Sequence, residues 1–198
     1  MTFILKRVEN LPDASRAALE GDGFQLVVQP TRDAVCVVSR DAALRGMKYS
    51  EAPPLKNFEA IPRLTDALDI PAKLINIELK GEPGWKNALA AVEASDSLGR
   101  VIFSSLEHSE ILQLWAACPR ARCGFIWEAG EANALTEEEI LDLPDSLLLH
   151  IPLCSINKRA DFWKKYANRL VVWDAPDYKS AALIGFNPLA YILDSIAK

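Results

Sequence analysis

The sequence predicts an α/β protein, a compact single-domain (β/α)8 TIM barrel over residues 1–198, and three observations lead there. β-rich runs recur along the chain, helical segments separate most of them, and the one adjacent pair of runs is joined by a stretch too short for a parallel crossover. A chain of 198 residues, 50% hydrophobic and 25% charged, can bury a core in one domain without disulfide or metal staples. The competing arrangement for alternating strands and helices is an open doubly wound sheet.

Taken in order, TFIL from Thr2 leads into a helical segment over 12–20. FQLVV from Phe24 and VCVV from Val35 follow, with PTRDA between Val28 and Val35 reading as a hairpin turn. Residues 42–57, which contain Gly46, Pro53 and Pro54, suit a long irregular loop. LINIEL from Leu74 precedes a helix over 85–94, and VIFSS from Val101 precedes one over 109–117, where Ser109 is a start signal. After CGFIW from Cys123, a helix over 136–141 opens on Thr136 and three glutamates, where the helix dipole favours acids. LLLHI from Leu147, a helix over 160–167, LVVW from Leu170, a helix over 178–184 and YIL from Tyr191 complete the series.

The run LINIELK alternates Ile75, Ile77 and Leu79 with Asn76, Glu78 and Lys80. At period two the polar set shares one face. Facing bulk water it would be ordinary; lining the inside of a barrel it would be a site.

The net charge of −5 and a pI near 5.2 argue against a general nucleic-acid binder, since no basic half is present. Cys36, Cys118, Cys123 and Cys154 form no CxxC pair and have no histidines at finger-like spacing, so they read as buried thiols in a reducing compartment. MTFILKRVEN lacks the h-region of a signal peptide and no run is long enough for a transmembrane segment, so cytoplasmic residence is expected. GxGxxG, P-loop and GxSxG motifs are lacking, which lowers nucleotide-binding and serine-nucleophile readings.

INIELKG, then VIFSSLEHSEIL, and near the end VVW and YILD, resemble segments of the glycerophosphodiester phosphodiesterases, which carry LNIEIK, ISSF(D/N)H, VWTVN and IITD. FQLVVQPTRDAVCVVSRD is similar to that family's hairpin, IELDVQLTKDGVPVVIHD, with Thr31, Arg32 and Asp33 at the turn. Glu9 and Asn10 sit where the family has ENT, Lys6 and Arg7 where HRG begins, and IPRLTDAL from Ile61 is similar to IPTLEEVL. The likeness runs in order through nearly the whole chain.

The resemblance implies a (β/α)8 barrel that hydrolyses phosphodiesters. A divalent cation held by the ExD and NIEIK carboxylates would ready the phosphate, and the histidines of HRG and HD would transfer protons. On that alignment Glu78 keeps one metal ligand and Lys80 its lysine, whereas Gln25 and Val27 replace the other two carboxylates. Lys6 and Arg40 stand at the two histidine positions, followed by Arg7 and Asp41. A single carboxylate is a poor calcium or magnesium site. Arginine keeps its proton at accessible pH, and lysine is a base only when strongly desolvated.

Carboxylates have become neutral where the metal would sit, and histidines have become cations where the phosphate would sit. The expectation is a barrel mouth that binds a phosphorylated small molecule or glycerophosphodiester through Lys6, Arg7, Arg40 and Lys80, with Trp173 of VVW on the pocket wall and no cofactor. The enzyme alternative is an altered phosphodiesterase using Glu78 with calcium or magnesium, and a third is a barrel serving as an interaction scaffold. Three departures from the family pattern favour loss of efficient diesterase activity: a shorter loop after Arg7, a shorter segment over 42–57 and a contracted tail after Trp173.

Blander readings stand beside these. Lys6, Arg7 and Arg40 suit a solvated surface, and Glu78 with Lys80, two residues apart on one strand, suits a salt bridge. His108 suits capping or packing, and His150, in LLLHIPL, a satisfied core histidine. Ser104 and Ser105 suit ligand contact or capping, and Trp85, Trp115, Trp127 and Trp163 suit packing.

Overall fold

The computed structural model describes residues 2–39, 61–81 and 84–194. Arg40, Asp41 and the loop expected over 42–57 lie outside the described residues. Among the described residues nine strands form, in chain order β1 (Phe3–Arg7), β2 (Gly23–Pro30), β3 (Cys36–Val38), β4 (Leu74–Leu79), β5 (Val101–Ser105), β6 (Arg122–Ile126), β7 (Leu148–Pro152), β8 (Leu170–Ala175) and β9 (Ala190–Leu193).

All but β3 are parallel, and β1 pairs with both β9 and β2, so eight strands close a ring. That closure, with Leu5 opposite Gly23 and Arg7 opposite Gln25, distinguishes the barrel from an open sheet. β3 folds back antiparallel on β2, as the short PTRDA link requires. Thr31 holds that turn: its hydroxyl donates to Asp33 at 2.7 Å and accepts from the Val35 amide at 3.2 Å. Gly23 is needed where three strands meet, because a Cβ there would stand 1.7 Å from the Leu74 carbonyl oxygen.

The alternation along the strands builds two cores. Leu5, Leu74, Ile102, Leu148, Val171, Ala190 and Ile192 fill the lower barrel interior. Ile75, Ile77, Leu79, Phe103, Phe125, Leu149, Ile151 and Val172 point outward and pack beneath the helices. The polar face of LINIELK therefore looks into the barrel, and its apolar face packs against the helical layer.

The helices are α1 (Leu11–Glu20), α2 (Leu64–Leu68), α3 (Gly84–Ala94), α4 (His108–Ala117), α5 (Ala129–Ala134), α6 (Glu137–Leu141), α7 (Leu153–Lys158), α8 (Ala160–Lys164) and α9 (Tyr178–Ala182). Asn10 caps α1 by accepting from the Asp13 amide at 2.8 Å, and Thr136 caps α6 by accepting from the Glu139 amide at 3.2 Å. α4 begins at His108, one residue before the expected Ser109, because Ser105 accepts from the Glu107 amide at 3.1 Å and turns the chain earlier. The helices α2, α5 and α7 have no counterpart in the sequence reading.

The tryptophans at 85, 127 and 163 are buried in the outer core, and Trp115 packs against it while its Nε1 donates to Ser146 at 3.1 Å. One cysteine departs from expectation. Cys36, Cys118 and Cys123 are buried, but Cys154 is exposed, because α7 turns Leu153, Ser155 and Ile156 inward instead.

Candidate functional site

At the carboxyl ends of the strands, where barrel enzymes place their sites, a cavity of about 170 Å³ opens in the barrel axis. Its mouth carries Arg7 from β1, Glu78 and Lys80 from β4 and its end, and Glu128 after β6. Trp173, Leu106 and Ile126 form the walls, and Gln25, Asn76, His150 and Ile192 the buried floor.

Strand parity decides which charges arrive there. On β1, Leu5 and Arg7 point inward, so Lys6 must point outward, where its ammonium pairs with Glu20 of α1. The expectation that Lys6 shares the mouth with Arg7 is therefore corrected. Gln25 lies on the floor, whereas Val27 is buried outside the cavity lining. Glu78, Lys80 and Trp173 all meet at the cavity.

A chain of hydrogen bonds runs around the mouth. Arg7 donates from Nη1 to Asp194 Oδ1 at 3.0 Å and from Nε to Gln25 Oε1 at 3.2 Å. Gln25 in turn donates from Nε2 to Glu78 Oε2 at 2.8 Å, and Lys80 Nζ lies 3.1 Å from Glu78 Oε1. The salt bridge expected between Glu78 and Lys80 is thus present. Side-chain exposures of 16% for Arg7, 15% for Glu78 and 23% for Lys80 place the network at the boundary between barrel and solvent. Arg7 also sits 6.0 Å from the centre of the Trp173 ring, within reach of a cation–π attraction. Trp173 is held by its Nε1 donating to the His150 carbonyl at 3.3 Å, just ahead of a β8 irregularity at Asp174, whose φ is 60°.

The two cations are each matched by a carboxylate, yet neither is saturated. Nη2 of Arg7 and the remaining Lys80 protons have no partner among the described residues. These donors, flanked by an indole, suit an oxyanion.

A divalent cation finds a different environment. One Glu78 oxygen accepts an amide proton and the other faces an ammonium, so neither is presented to a metal. The Gln25 carbonyl oxygen is engaged by Arg7. No group of three or more His, Cys, Asp or Glu suited to hold a metal ion occurs among the described residues. Among the described residues the donor set does not fit calcium or magnesium, which ask for six or more oxygens.

The floor is neutral and polar. His150 is 1% exposed and its Nε2 has no hydrogen-bond partner among the described residues; burial pushes its pKa down to about 3. Its ring fits because β6 carries Gly124, where a Cβ would stand 2.6 Å from His150 Cδ2 and Nε2. Asn76, also 1% exposed, donates from Nδ2 to Ser104 Oγ at 3.1 Å, leaving Oδ1 unpartnered. His150 is therefore a buried histidine, but not the satisfied one the apolar run suggested.

His108 lies in the outer layer, stacked on Phe125 with ring centres 4.4 Å apart and with Nε2 2.9 Å from the Ile126 carbonyl. Ser104 and Ser105 are tied to the backbone and to neighbouring side chains. Asn76 lines the cavity with Glu78 and Lys80, as the polar face of LINIELK suggested, whereas sequence reasoning missed Asp194 and His150 as site residues. The signal for these two was parity: an inward apolar residue low in a strand predicts an inward residue two places on, as Leu148 predicts His150 and Ile192 predicts Asp194.

No protein-family model matches the chain, and no curated protein does. Solved structures match along nearly its whole length. A glycerophosphodiester phosphodiesterase from Thermotoga maritima is 19% identical with a TM-score of 0.66, covering 98% of this chain and 94% of that one. One from Parabacteroides distasonis is 15% identical with a TM-score of 0.71, covering 98% and 94%. A phosphodiesterase from Oleispira antarctica, solved with its product sn-glycerol-3-phosphate, is 17% identical with a TM-score of 0.73, covering 98% and 92%. The chain has the fold of the glycerophosphodiester phosphodiesterases.

Proposed function

We propose that this chain is a glycerophosphodiester phosphodiesterase-like barrel whose mouth binds the phosphate of a small phosphorylated molecule without a metal and without efficient hydrolysis. The observation that carries this reading is the convergence of Arg7 and Lys80 on one cavity, with unused donors, around a Glu78 already held by Gln25 and Lys80. The product bound to the Oleispira antarctica relative supports a phosphorylated ligand and makes sn-glycerol-3-phosphate the first probe. An incoming phosphate competes with Asp194 for Arg7 and with Glu78 for Lys80, so binding weakens as salt rises. The four free thiols favour a reducing, cytoplasmic setting, and the net charge of −5 disfavours nucleic acid as a partner.

Calorimetric titration at low ionic strength tests the reading with inorganic phosphate and sn-glycerol-3-phosphate. Both bind the native protein, and Arg7→Ala and Lys80→Ala each weaken them about tenfold or more, as expected for a lost charge-assisted contact. Failure of both anions to bind overturns the proposal. So does hydrolysis of glycerophosphocholine that depends on calcium, magnesium or manganese and disappears in Glu78→Ala, which would restore the enzyme reading.

A further inference from the structure

Arg7 offers an oxyanion two edges, and each is half occupied. On the side edge Nε donates to Gln25 Oε1 at 3.2 Å, and on the end edge Nη1 donates to Asp194 Oδ1 at 3.0 Å. Nη2, which belongs to both edges, has no partner among the described residues. A guanidinium holds an oxyanion most firmly through two parallel bonds from one edge. A ligand that takes both must therefore displace Gln25 or Asp194.

The two are not equally held. Gln25 is 2% exposed and its Nε2 is tied to Glu78 at 2.8 Å, so breaking its bond to Arg7 would strand a buried amide oxygen. The Asp194 side chain is 42% exposed, and Arg7 is its single side-chain partner among the described residues. Its carboxylate can exchange that partner for water, and ion pairs this open to solvent are weak. The backbone is held as lightly. Just beyond β9, the Asp194 amide reaches the Ala175 carbonyl at 3.0 Å, beside the irregularity in the pairing of β8 with β9.

We propose that Asp194 is a gate on the mouth: with no ligand bound its carboxylate occupies the end edge of Arg7, and the ligand's phosphate enters by displacing it, which loosens the end of β9. This regulation rests on the phosphate reading above. Arg7 itself need not move, because Gln25 and the Trp173 ring still hold it. The gate lowers the affinity of the mouth and carries its occupancy to the strand end that Asp194 follows. In the competing arrangement Asp194 is a brace that fixes the guanidinium for a ligand bonded to Nη2 alone. Gate and brace predict opposite signs when Asp194 is neutralised.

Calorimetry with inorganic phosphate at low ionic strength compares the native protein with Asp194→Asn and Asp194→Ala. Removing the gate strengthens binding about two- to fivefold in both variants, the weight of one solvent-exposed ion pair. Equal or weaker binding by the variants overturns the gate, and the native protein's own affinity for phosphate leaves the phosphate reading intact.

Relief of charge alone would also strengthen binding, so a second measurement follows the strand end. Hydrogen exchange at the Asp194 amide quickens when phosphate saturates the native protein, and an unchanged rate at saturation overturns the gate. The same amide exchanges faster in Arg7→Met without any ligand, while the amides of β5 keep their native protection as the sign of an intact fold. An Asp194 amide as slow in Arg7→Met as in the native protein overturns the gate even if no phosphate binds.

Discussion

Gly124→Ala tests whether His150 is wedged against β6. The added methyl would stand 2.6 Å from two ring atoms and 3.0 Å from Leu148 Cβ, so the imidazole must retreat by about 1 Å to reach ordinary carbon contact distances. Leu148 Cβ belongs to the strand itself and has little freedom, and His150 is buried inside a closed barrel, so the strain falls on a packed interior. Overpacking of this kind costs about 1–3 kcal/mol, and at ~2–4 °C per kcal/mol for a chain of this size the melting temperature falls by roughly 2–12 °C. Thermal unfolding followed by circular dichroism measures it in two backgrounds. In His150→Ala the clash with the ring is gone and only the 3.0 Å approach to Leu148 Cβ remains, so Gly124→Ala costs clearly less there; replacing a strand glycine also restricts the unfolded chain in its favour. An equal loss in both backgrounds would refute the wedge, and an unchanged melting temperature in the native background would refute the packing argument altogether.

Three further outcomes are expected. Gly23→Ala is more damaging than Gly124→Ala and is not relieved by trimming a neighbour, because its methyl meets the Leu74 backbone carbonyl at 1.7 Å; soluble yield and melting temperature together report it, and a stable, soluble variant contradicts the closure geometry. The histidine at 150 makes stability pH-dependent with a definite sign. Its folded pKa, about 3, lies below the unfolded value near 6.5, so below pH 6.5 the unfolded chain takes up a proton that the folded protein refuses. Its contribution is complete above pH 6.5 and declines toward pH 3 by up to ~1.4 kcal/mol per unit. Urea unfolding at pH 7.5, 6 and 5 therefore shows a slope that His150→Phe reduces, and identical slopes refute the assignment. Cys154 reacts rapidly with a thiol reagent in the native protein, whereas Cys36 and Cys123 do not, since burial pushes both thiols up to about 12; mass mapping that finds either of them labelled before Cys154 contradicts the fold.

Much of the site was legible because it lies on one strand. INIELK displays Glu78 and Lys80 at i and i+2, and strand geometry alone puts them side by side, as the 3.1 Å pair confirms. The hairpin was legible for the same local reason: Thr31 and Asp33 organise a turn whose every bond lies within four residues. Arg7 was found and Lys6 misplaced because neighbouring residues on a strand diverge to opposite faces, and an alignment that slips by one residue exchanges the barrel interior for the helical layer. His150 was recognised as buried, but burial in LLLHIPL says nothing about the empty position across from it. Only Gly124, 26 residues earlier and on the adjacent strand, makes room for the ring.

By itself, the sequence determined the order of strands and helices, the single antiparallel return and the thinning of carboxylates around Glu78, since each depends on residue type and short-range period. The tertiary structure decided that the polar face of LINIELK looks inward, that Asp194 closes on Arg7 across 187 residues, and that Asn76 and His150 share one floor. The physical reason is closure: parity fixes which side chains leave a strand together, but only the joining of β1 to both β2 and β9 determines which of them meet.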